Sequence, residues 1–391
     1  MSDKKILLIE VCNFNDYPIG GYLTFAKQMI TAFGDQIYLV GLADDDDVIG
    51  EWRKKYINNI EYNYFPVLKV KKRSKKSIIP YRLKSFIAVR FHIKQILSIN
   101  IKNVFIQTPE VLFALKGFNV ENLCVRIPGV GNPLRYSRYS YGKLFASVFD
   151  YFFFRDLVKS DVILATADQF SINEFIKRGN NILSKEKVKQ FPTRFNSEIF
   201  KPTNKSEVRK ELGFTAESKI VVTTGRISEL KGWKFMIDSF NLFRIIYPNS
   251  MFYFIGDGED RQKAEKYITN IDLNDYIKIS GSINHSLLSK YLNAADVFVM
   301  GSYIEGWATS LVEAISCSLP VVCTNFSSAS ELIEHGVNGY IINNRNEDEF
   351  SKLMIKSLKL SKVNLNLKAK EIQQYSTLKL KEEIEKVWNI I

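Results

Sequence analysis

Short apolar runs alternate with stretches of helical spacing along most of the chain. Ile6 to Val11 has the length and composition of a buried strand. Gly20-Gly21 follows, Tyr22 to Phe33 carries apolar residues at helical spacing, and Gln36 to Gly41 is a second short apolar run. That order predicts a strand–loop–helix–strand unit, the building block of a parallel sheet with helices on its faces. Val104 to Gln107, Cys124 to Ile127 and Val162 to Thr166 extend the same sheet. The stretch from Phe191-Pro192 to Phe200-Lys201-Pro202 is irregular and holds two prolines, as a domain boundary would.

Beyond it the alternation restarts. Strands are predicted at Lys219 to Thr223, Met251 to Ile255, Tyr276 to Ile279, Val297 to Met300, Pro320 to Cys323 and Gly339 to Ile342. Between them fall helices at Trp233 to Ile246, Ser286 to Ala294, Thr309 to Ser318 and Ser330 to Glu334. The expectation is an α/β protein of two doubly wound domains, 1–195 and 205–372. A C-terminal helix over about 376–391 is expected to pack back on the first domain.

Composition agrees with this picture. The 391 residues are too many for one ordinary core, and 46% hydrophobic with 25% charged residues is the balance of a globular chain. The four cysteines form no CxxC pair and have no histidine at ligand spacing, which points to a reducing cytoplasm rather than a disulfide scaffold. The longest aromatic stretch, Leu144 to Phe154, is interrupted by Asp150 and falls short of the ~20 apolar residues of a membrane span. A cytoplasmic protein is expected, with peripheral contact at the inner face of a membrane left open.

Charge changes the picture in one place. The net charge of +12 is concentrated between Glu61 and Glu110, where Lys69, Lys71, Lys72, Arg73, Lys75, Lys76, Arg82, Lys84, Arg90, Lys94 and Lys102 occur without one acidic residue. Interleaved with Ile78, Ile79, Phe86, Ile87, Val89 and Phe91, this block suits anionic lipid head groups or a polyanionic acceptor, or is a solvated face. No helix-turn-helix, zinc-finger or RNP pattern accompanies it, so nucleic acid is not an expected partner.

The chemistry concentrates in the second half. Gly301-Ser-Tyr-Ile-Glu305-Gly306-Trp307-Ala308-Thr309 leads from a strand end through a glycine loop into a helix that carries Glu313. A helix N-terminus at the carboxyl end of a parallel sheet suits a diphosphate. Two carboxylates on either side can accept hydroxyl groups of a sugar and a ribose. Gly225-Arg226-Ile227-Ser228-Glu229-Leu230-Lys231-Gly232 places two cations after another strand, fit to offset charge growing on a leaving diphosphate.

These motifs, with the Gly256-Asp-Gly turn, Ala295-Asp296 before a strand, and Ser318-Leu-Pro-Val-Val, resemble the family 4 retaining glycosyltransferases of GT-B fold. The likeness is strong from about Thr223 to Tyr340. It implies two Rossmann-like domains facing a central cleft, a UDP- or GDP-hexose as donor, and a saccharide or lipid-linked glycan as acceptor in cell-surface polysaccharide synthesis. No metal or other cofactor is implied. Glu305, Arg226 and Lys231 take catalytic roles by this resemblance. The donor would be bound by Gly20, Gly21, Gly225, Arg226, Lys231, Gly256, Glu305, Gly306, Trp307, Ala308, Thr309 and Glu313.

The sequence departs from the family pattern in three ways. Pro128-Gly-Val-Gly131 stands where many members carry a histidine, and the three histidines, His92, His285 and His335, lie elsewhere. Ala308 replaces a common glycine and Trp307 a smaller aromatic residue, both expected to press on the sugar. Asp44 to Asp47 has the D-x-D spacing of a metal site but sits away from the Glu305 loop, and is expected to be a solvated turn. A nucleotide-sugar epimerase or phosphorylase of related fold, and a non-catalytic homologue, are the alternatives.

Overall fold

The computed structural model describes residues 4–18, 20–70, 80–135 and 143–390. The chain divides into two compact units, Met1–Thr193 with Thr377–Ile391, and Arg194–Ser376.

The first unit is built on eight strands: β1 (Ile6–Ile9), β2 (Ile37–Ala43), β3 (Arg53–Ile57), β4 (Ile60–Lys69), β5 (Asn103–Ile106), β6 (Asn122–Ile127), β7 (Val162–Ala165) and β8 (Val188–Gln190). They lie in the order β3-β4-β2-β1-β5-β6-β7-β8, and every neighbouring pair is parallel except β3 with β4. The two-residue period of a strand explains why β1 is apolar throughout. Leu7 and Ile9 enter the core on one face of the sheet, and Ile6 and Leu8 the core on the other. Helices Tyr81–Leu97, Ala146–Leu157 and Gln169–Arg178 cover the first face, and Gly21–Phe33 covers the second. Helix Leu380–Trp388 joins the second face through Leu380, Ile384 and Trp388. The Trp388 ring meets Phe105 edge-on, and its indole N–H donates to Asn122 Oδ1 at 2.7 Å.

The β3–β4 hairpin has no counterpart in the sequence reading. Its two-residue turn, Asn58-Asn59, takes positive φ at both positions, a conformation in which asparagine is tolerated. The run of lysines around it masks the alternation that buries Tyr62 and Tyr64.

The second unit holds six parallel strands: β9 (Lys219–Thr224), β10 (Ser250–Ile255), β11 (Ile277–Gly281), β12 (Val297–Met300), β13 (Val321–Thr324) and β14 (Gly339–Ile342). Their order is β11-β10-β9-β12-β13-β14. The direction of winding reverses between β9 and β12, so the loops leaving those strands diverge and open a crevice at the carboxyl edge. Among the described residues no helix is long and apolar enough to cross a membrane.

Asp296, just before β12, holds the amino edge of this sheet together. Its carboxylate takes the Arg209 guanidinium at 2.6 Å, the Lys205 ammonium at 2.8 Å and the Ile220 amide at 2.7 Å, tying helix Lys205–Glu211 to β9. Burial opposes ionisation here, but the two cations and the amide outweigh it and hold the carboxyl below its ordinary range. A carboxylate whose pKa is depressed by folding adds stability above its unfolded value, ~3.9, and loses it as pH falls through the folded one. Asp296→Asn should therefore cost about 3 kcal/mol at pH 7, as breaking one side of a buried ion pair does. In thermal melts from pH 7 down to 2, the gap between variant and wild type should narrow only below about pH 4.

Candidate functional site

Three loops meet at the carboxyl edge of the second sheet, and glycines set how closely. The loop after β9 runs from Gly225 to Gly232. A methyl built on Gly232 (φ +67°) would fall 2.0 Å from the carbonyl oxygen of Gly301, in the loop after β12. One on Gly256 (φ +148°), after β10, would fall 1.9 Å from the carbonyl oxygen of Gly225. Those contacts are backbone against backbone, so only glycine fits. Their first use is thus to let the loops pack on one another, a role that sequence spacing alone does not separate from an approach to ligand.

Hydrogen bonds then fix the loops. The Ile227 amide donates to Asp257 O at 3.0 Å, the Glu229 amide to Asp260 Oδ2 at 2.6 Å, and the Tyr303 amide to Leu230 O at 2.8 Å. Arg345 clamps the β12 loop. Its guanidinium donates to Gly301 O at 2.6 Å and lies over the Tyr303 ring at 3.3 Å from the centroid. Local spacing does not reveal Arg345, because it comes from beyond β14, far along the chain.

Within this frame Lys231 and Glu305 form one unit. Lys231 Nζ donates to Glu305 Oε1 at 2.5 Å, and Ser302 Oγ donates to the same oxygen at 2.6 Å. The side chains are 29% and 12% exposed, so the pair is only partly screened by water. Thr324 Oγ1 donates to Ser302 O at 2.6 Å and fixes that serine from β13. Arg226, Lys231 and Ser302 line one small recess with Thr223, Gly225 and Met300. Arg226 is exposed and makes no side-chain hydrogen bond or ion pair among the described residues. The structure therefore brings Arg226, Lys231 and Glu305 to one place and leaves Arg226 with its charge open.

Helix Thr309–Ser316 begins with no side-chain cap, and the Ala308 amide donates to Ser328 Oγ at 3.3 Å. Glu313 lies in its second turn, ~6 Å of helical rise beyond Thr309. Its carboxyl is half-buried and has no hydrogen-bond donor or cation among the described residues. Burial alone pushes it up to about 8. Gly306 O accepts from Ser327 Oγ at 3.1 Å.

Two expectations fail here. The Trp307 ring does not face outward: it is buried in the core of the second unit and meets Tyr375 edge-on at 5.1 Å. The Ala308 methyl is buried in the same core. Both residues precede the helix instead of lying in it, and they turn inward to close the hydrophobic layer beneath it. Neither side chain is in position to press on a bound sugar.

Gly20 (φ +156°) and Gly21 are exposed at the start of helix Gly21–Phe33 in the first unit. Asp44 to Asp47 form the expected solvated turn, with Asp44, Asp45 and Asp46 exposed; only the Asp47 side chain is withdrawn, paired with Arg53 and Lys55. His285 packs against Phe200 and His335 against Tyr340. Of the basic block, Lys71, Lys72, Arg73, Lys75 and Lys76 lie outside the described residues.

The sequence reading also missed a buried polar cluster at the carboxyl edge of the first sheet. Glu10 follows β1, Gln107 follows β5 and Arg126 lies in β6. Arg126 Nη1 donates to Gln107 Oε1 at 2.9 Å, and Gln107 Nε2 donates to Glu10 Oε2 at 3.2 Å. The Arg126 guanidinium also lies 4.0 Å from the centroid of Phe25. Burial, with the charge of Glu110, pushes the Glu10 carboxyl up to about 8 against the opposing pull of Gln107 and Arg126. The signal was present as single polar residues ending apolar strands, Glu10 and Gln107 among them.

Comparison with known proteins places this geometry. Residues 204–374 match the model of the group 1 glycosyl transferases. The chain is 30% identical over 141 residues to alpha-monoglucosyldiacylglycerol synthase of Acholeplasma laidlawii, covering 36% of this chain and 35% of that protein. In three such relatives the matched stretch spans 30% to 46% of the relative's own length. Among solved structures, sucrose-phosphate synthase from Thermosynechococcus elongatus matches with a TM-score of 0.75 at 14% identity, over 99% of this chain and 98% of that one. Anabaena HepE in complex with UDP and glucose matches with a TM-score of 0.71 at 17% identity, over 99% of this chain and 100% of that one.

The raised carboxyl of Glu313 has a measurable consequence. A carboxyl raised by folding keeps its stability below the unfolded value, ~4.3, and loses it as pH climbs through the folded value, about 8. Glu313→Gln should match wild type in melting temperature near pH 4.5 and exceed it increasingly from pH 5 to 8.5. Parallel melting curves across that range would refute the half-buried, partnerless state of this carboxyl.

The chain has the GT-B fold, and its second unit matches the group 1 glycosyl transferases.

Proposed function

We propose that the protein is a retaining glycosyltransferase that moves a hexose from a UDP- or GDP-sugar to a saccharide or lipid-linked acceptor in cell-surface polysaccharide or glycolipid synthesis. The observation that carries this reading is the grouping of Arg226, Lys231 and Glu305 at the switch point of the second sheet. There, Lys231 and Arg226 meet the diphosphate and offset the negative charge that grows as the glycosidic bond to phosphate breaks. Glu305, held by Lys231 and Ser302, presents its remaining acceptor capacity to the donor sugar's hydroxyls. Glu313 accepts from the ribose diol, and those hydroxyls give its carboxylate the donors that the protein does not. Thr309 and Gly306 contribute backbone at the helix start.

In this scheme the diphosphate departs on the face from which the acceptor hydroxyl attacks, and the leaving phosphate takes the acceptor proton. No side chain forms a covalent bond to the sugar. Two cations supply the charge, so no divalent metal is needed for turnover. The solved HepE complex with UDP and glucose and the glucosyldiacylglycerol synthase supply precedents for such a donor and a lipid acceptor.

Transfer assays with UDP- and GDP-hexoses test this directly. Arg226→Ala and Lys231→Ala should each lower turnover on the order of 10²-fold, as loss of preorganised charge does. Glu313→Ala should weaken binding of the nucleotide by about 1.5–3 kcal/mol, whereas Glu305→Ala should act mainly on kcat. Turnover near wild type in both cation variants, or abolition by EDTA with rescue by manganese, would overturn the scheme. Release of free nucleotide without change of the donor sugar separates transfer from epimerisation.

A further inference from the structure

Helix Ala146–Leu157 in the first unit is apolar on two faces. Phe153, Phe154 and Leu157 enter the core, while Val148, Tyr151 and Phe152 point outward, with Val148 50% and Tyr151 68% exposed. Leu144 and Phe145 continue that outer face. Helix Tyr81–Leu97 beside it shows the same doubling. Val89, Ile93 and Ile96 are buried, whereas Leu83, Ile87 and Phe91 form an exposed stripe at four-residue spacing, Phe91 being 77% exposed. Leu83 of this stripe lines one groove with Phe145, Val148 and Phe152, and grouped exposed apolar side chains of that kind mark binding surfaces.

Between the two helices lies a cavity of about 590 Å³, within the usual range for ligand sites. Its walls are apolar, from Leu83, Phe86, Phe113, Val148, Phe149 and Phe152, and Arg82, Lys116 and Arg155 stand in its lining. Asp156 is tied to Arg155 at 3.0 Å and offsets its charge, while Arg82 and Lys116 stand against Glu110, so the lining keeps a small positive excess. The cavity adjoins the polar recess that holds Arg126 and Gln107: Arg82, Pro109, Pro133 and Phe149 line both. The recess adds Arg126 and Arg178 to Arg82.

We infer that this groove takes the hydrocarbon chain of an anionic membrane lipid, whose phosphate lies toward Arg82 and the polar recess. The chemistry on each side matches one half of such a molecule: a greasy slot at one end and a guanidinium group at the other. The exposed aromatic and aliphatic side chains around the slot, flanked by Arg90 and Lys94, suit the headgroup and acyl boundary of a bilayer. A soluble anionic saccharide would use the arginines but leave the slot and the apolar stripe unexplained. Lipid binding here is independent of the donor-side chemistry and is measured without turnover.

The test is sedimentation of the full chain with vesicles of phosphatidylcholine alone and of phosphatidylcholine with phosphatidylglycerol, across a salt series. Wild type should favour the anionic vesicles and keep part of its binding at 0.5 M salt, since apolar insertion is not screened. Val148→Asp and Phe152→Asp, both at partly exposed positions, should each weaken binding at least tenfold with an unchanged melting temperature. A Val148→Trp variant should shift its emission to the blue on anionic vesicles and be quenched by brominated acyl chains. Binding untouched by both aspartates, equal binding to both vesicle types, complete loss with salt, or an unquenched tryptophan would each overturn the inference. So would a concentration-dependent dimer, broken by Phe152→Asp, in a protein that ignores vesicles, because the occupant would then be a second copy.

Discussion

At the carboxyl edge of the second sheet, backbone meets backbone. Gly232 lies against the carbonyl of Gly301, and Gly256 against the carbonyl of Gly225, with no room for a side chain at either contact. The position of Lys231 and of Glu305 follows from this, because each is a near neighbour of one of those crossings. A single methyl would drive the β9 and β12 loops apart, and the ion pair between them would lengthen with no change in the pair itself. The constraint is steric first and electrostatic second.

The Lys231–Glu305 pair has a further meaning in that frame. Both charges are partly withdrawn from water, and each satisfies the other. In the proposed transfer, a diphosphate that draws on Lys231 would compete with Glu305 for the same ammonium and free carboxylate capacity for a sugar hydroxyl. The two roles that sequence reasoning assigned separately are thus coupled through one proton-bearing nitrogen. Arg226 carries no such restraint and remains available as an additional cation.

Much of this architecture was legible because strands buried on both faces announce themselves as apolar runs, and β1, β5, β12 and β14 fell where those runs are. The hairpin of β3 and β4 was not, since Lys54 and Lys55 sit on opposite faces of β3 and blur the alternation, and its turn uses Asn58-Asn59 in place of a glycine. The site divided along the same line. Arg226, Lys231 and Glu305 stand in loops that leave strands, and Glu313 lies in the second turn of the helix that follows, where spacing points to them. Trp307 and Ala308 were placed by their neighbours in sequence, but packing turned their side chains into the core. Arg345, Ser302 and the Glu10–Gln107–Arg126 cluster act through tertiary contacts that no local pattern records.

The return of helix Leu380–Trp388 to the first unit makes the second unit an insertion in the chain rather than a tail. Its two ends run side by side, Phe195 bridging to Ser376 and donating its amide to Tyr375 O at 3.1 Å. During synthesis, then, the first sheet emerges early but lacks Trp388 against Phe105, with its hydrogen bond to Asn122, until the whole of the inserted unit has been made. At ~5–20 residues per second that wait is on the order of ten seconds or longer. One hydrophobic layer of the first unit stays unsealed for that time, whereas the inserted unit has every residue it needs as soon as Ser376 is added.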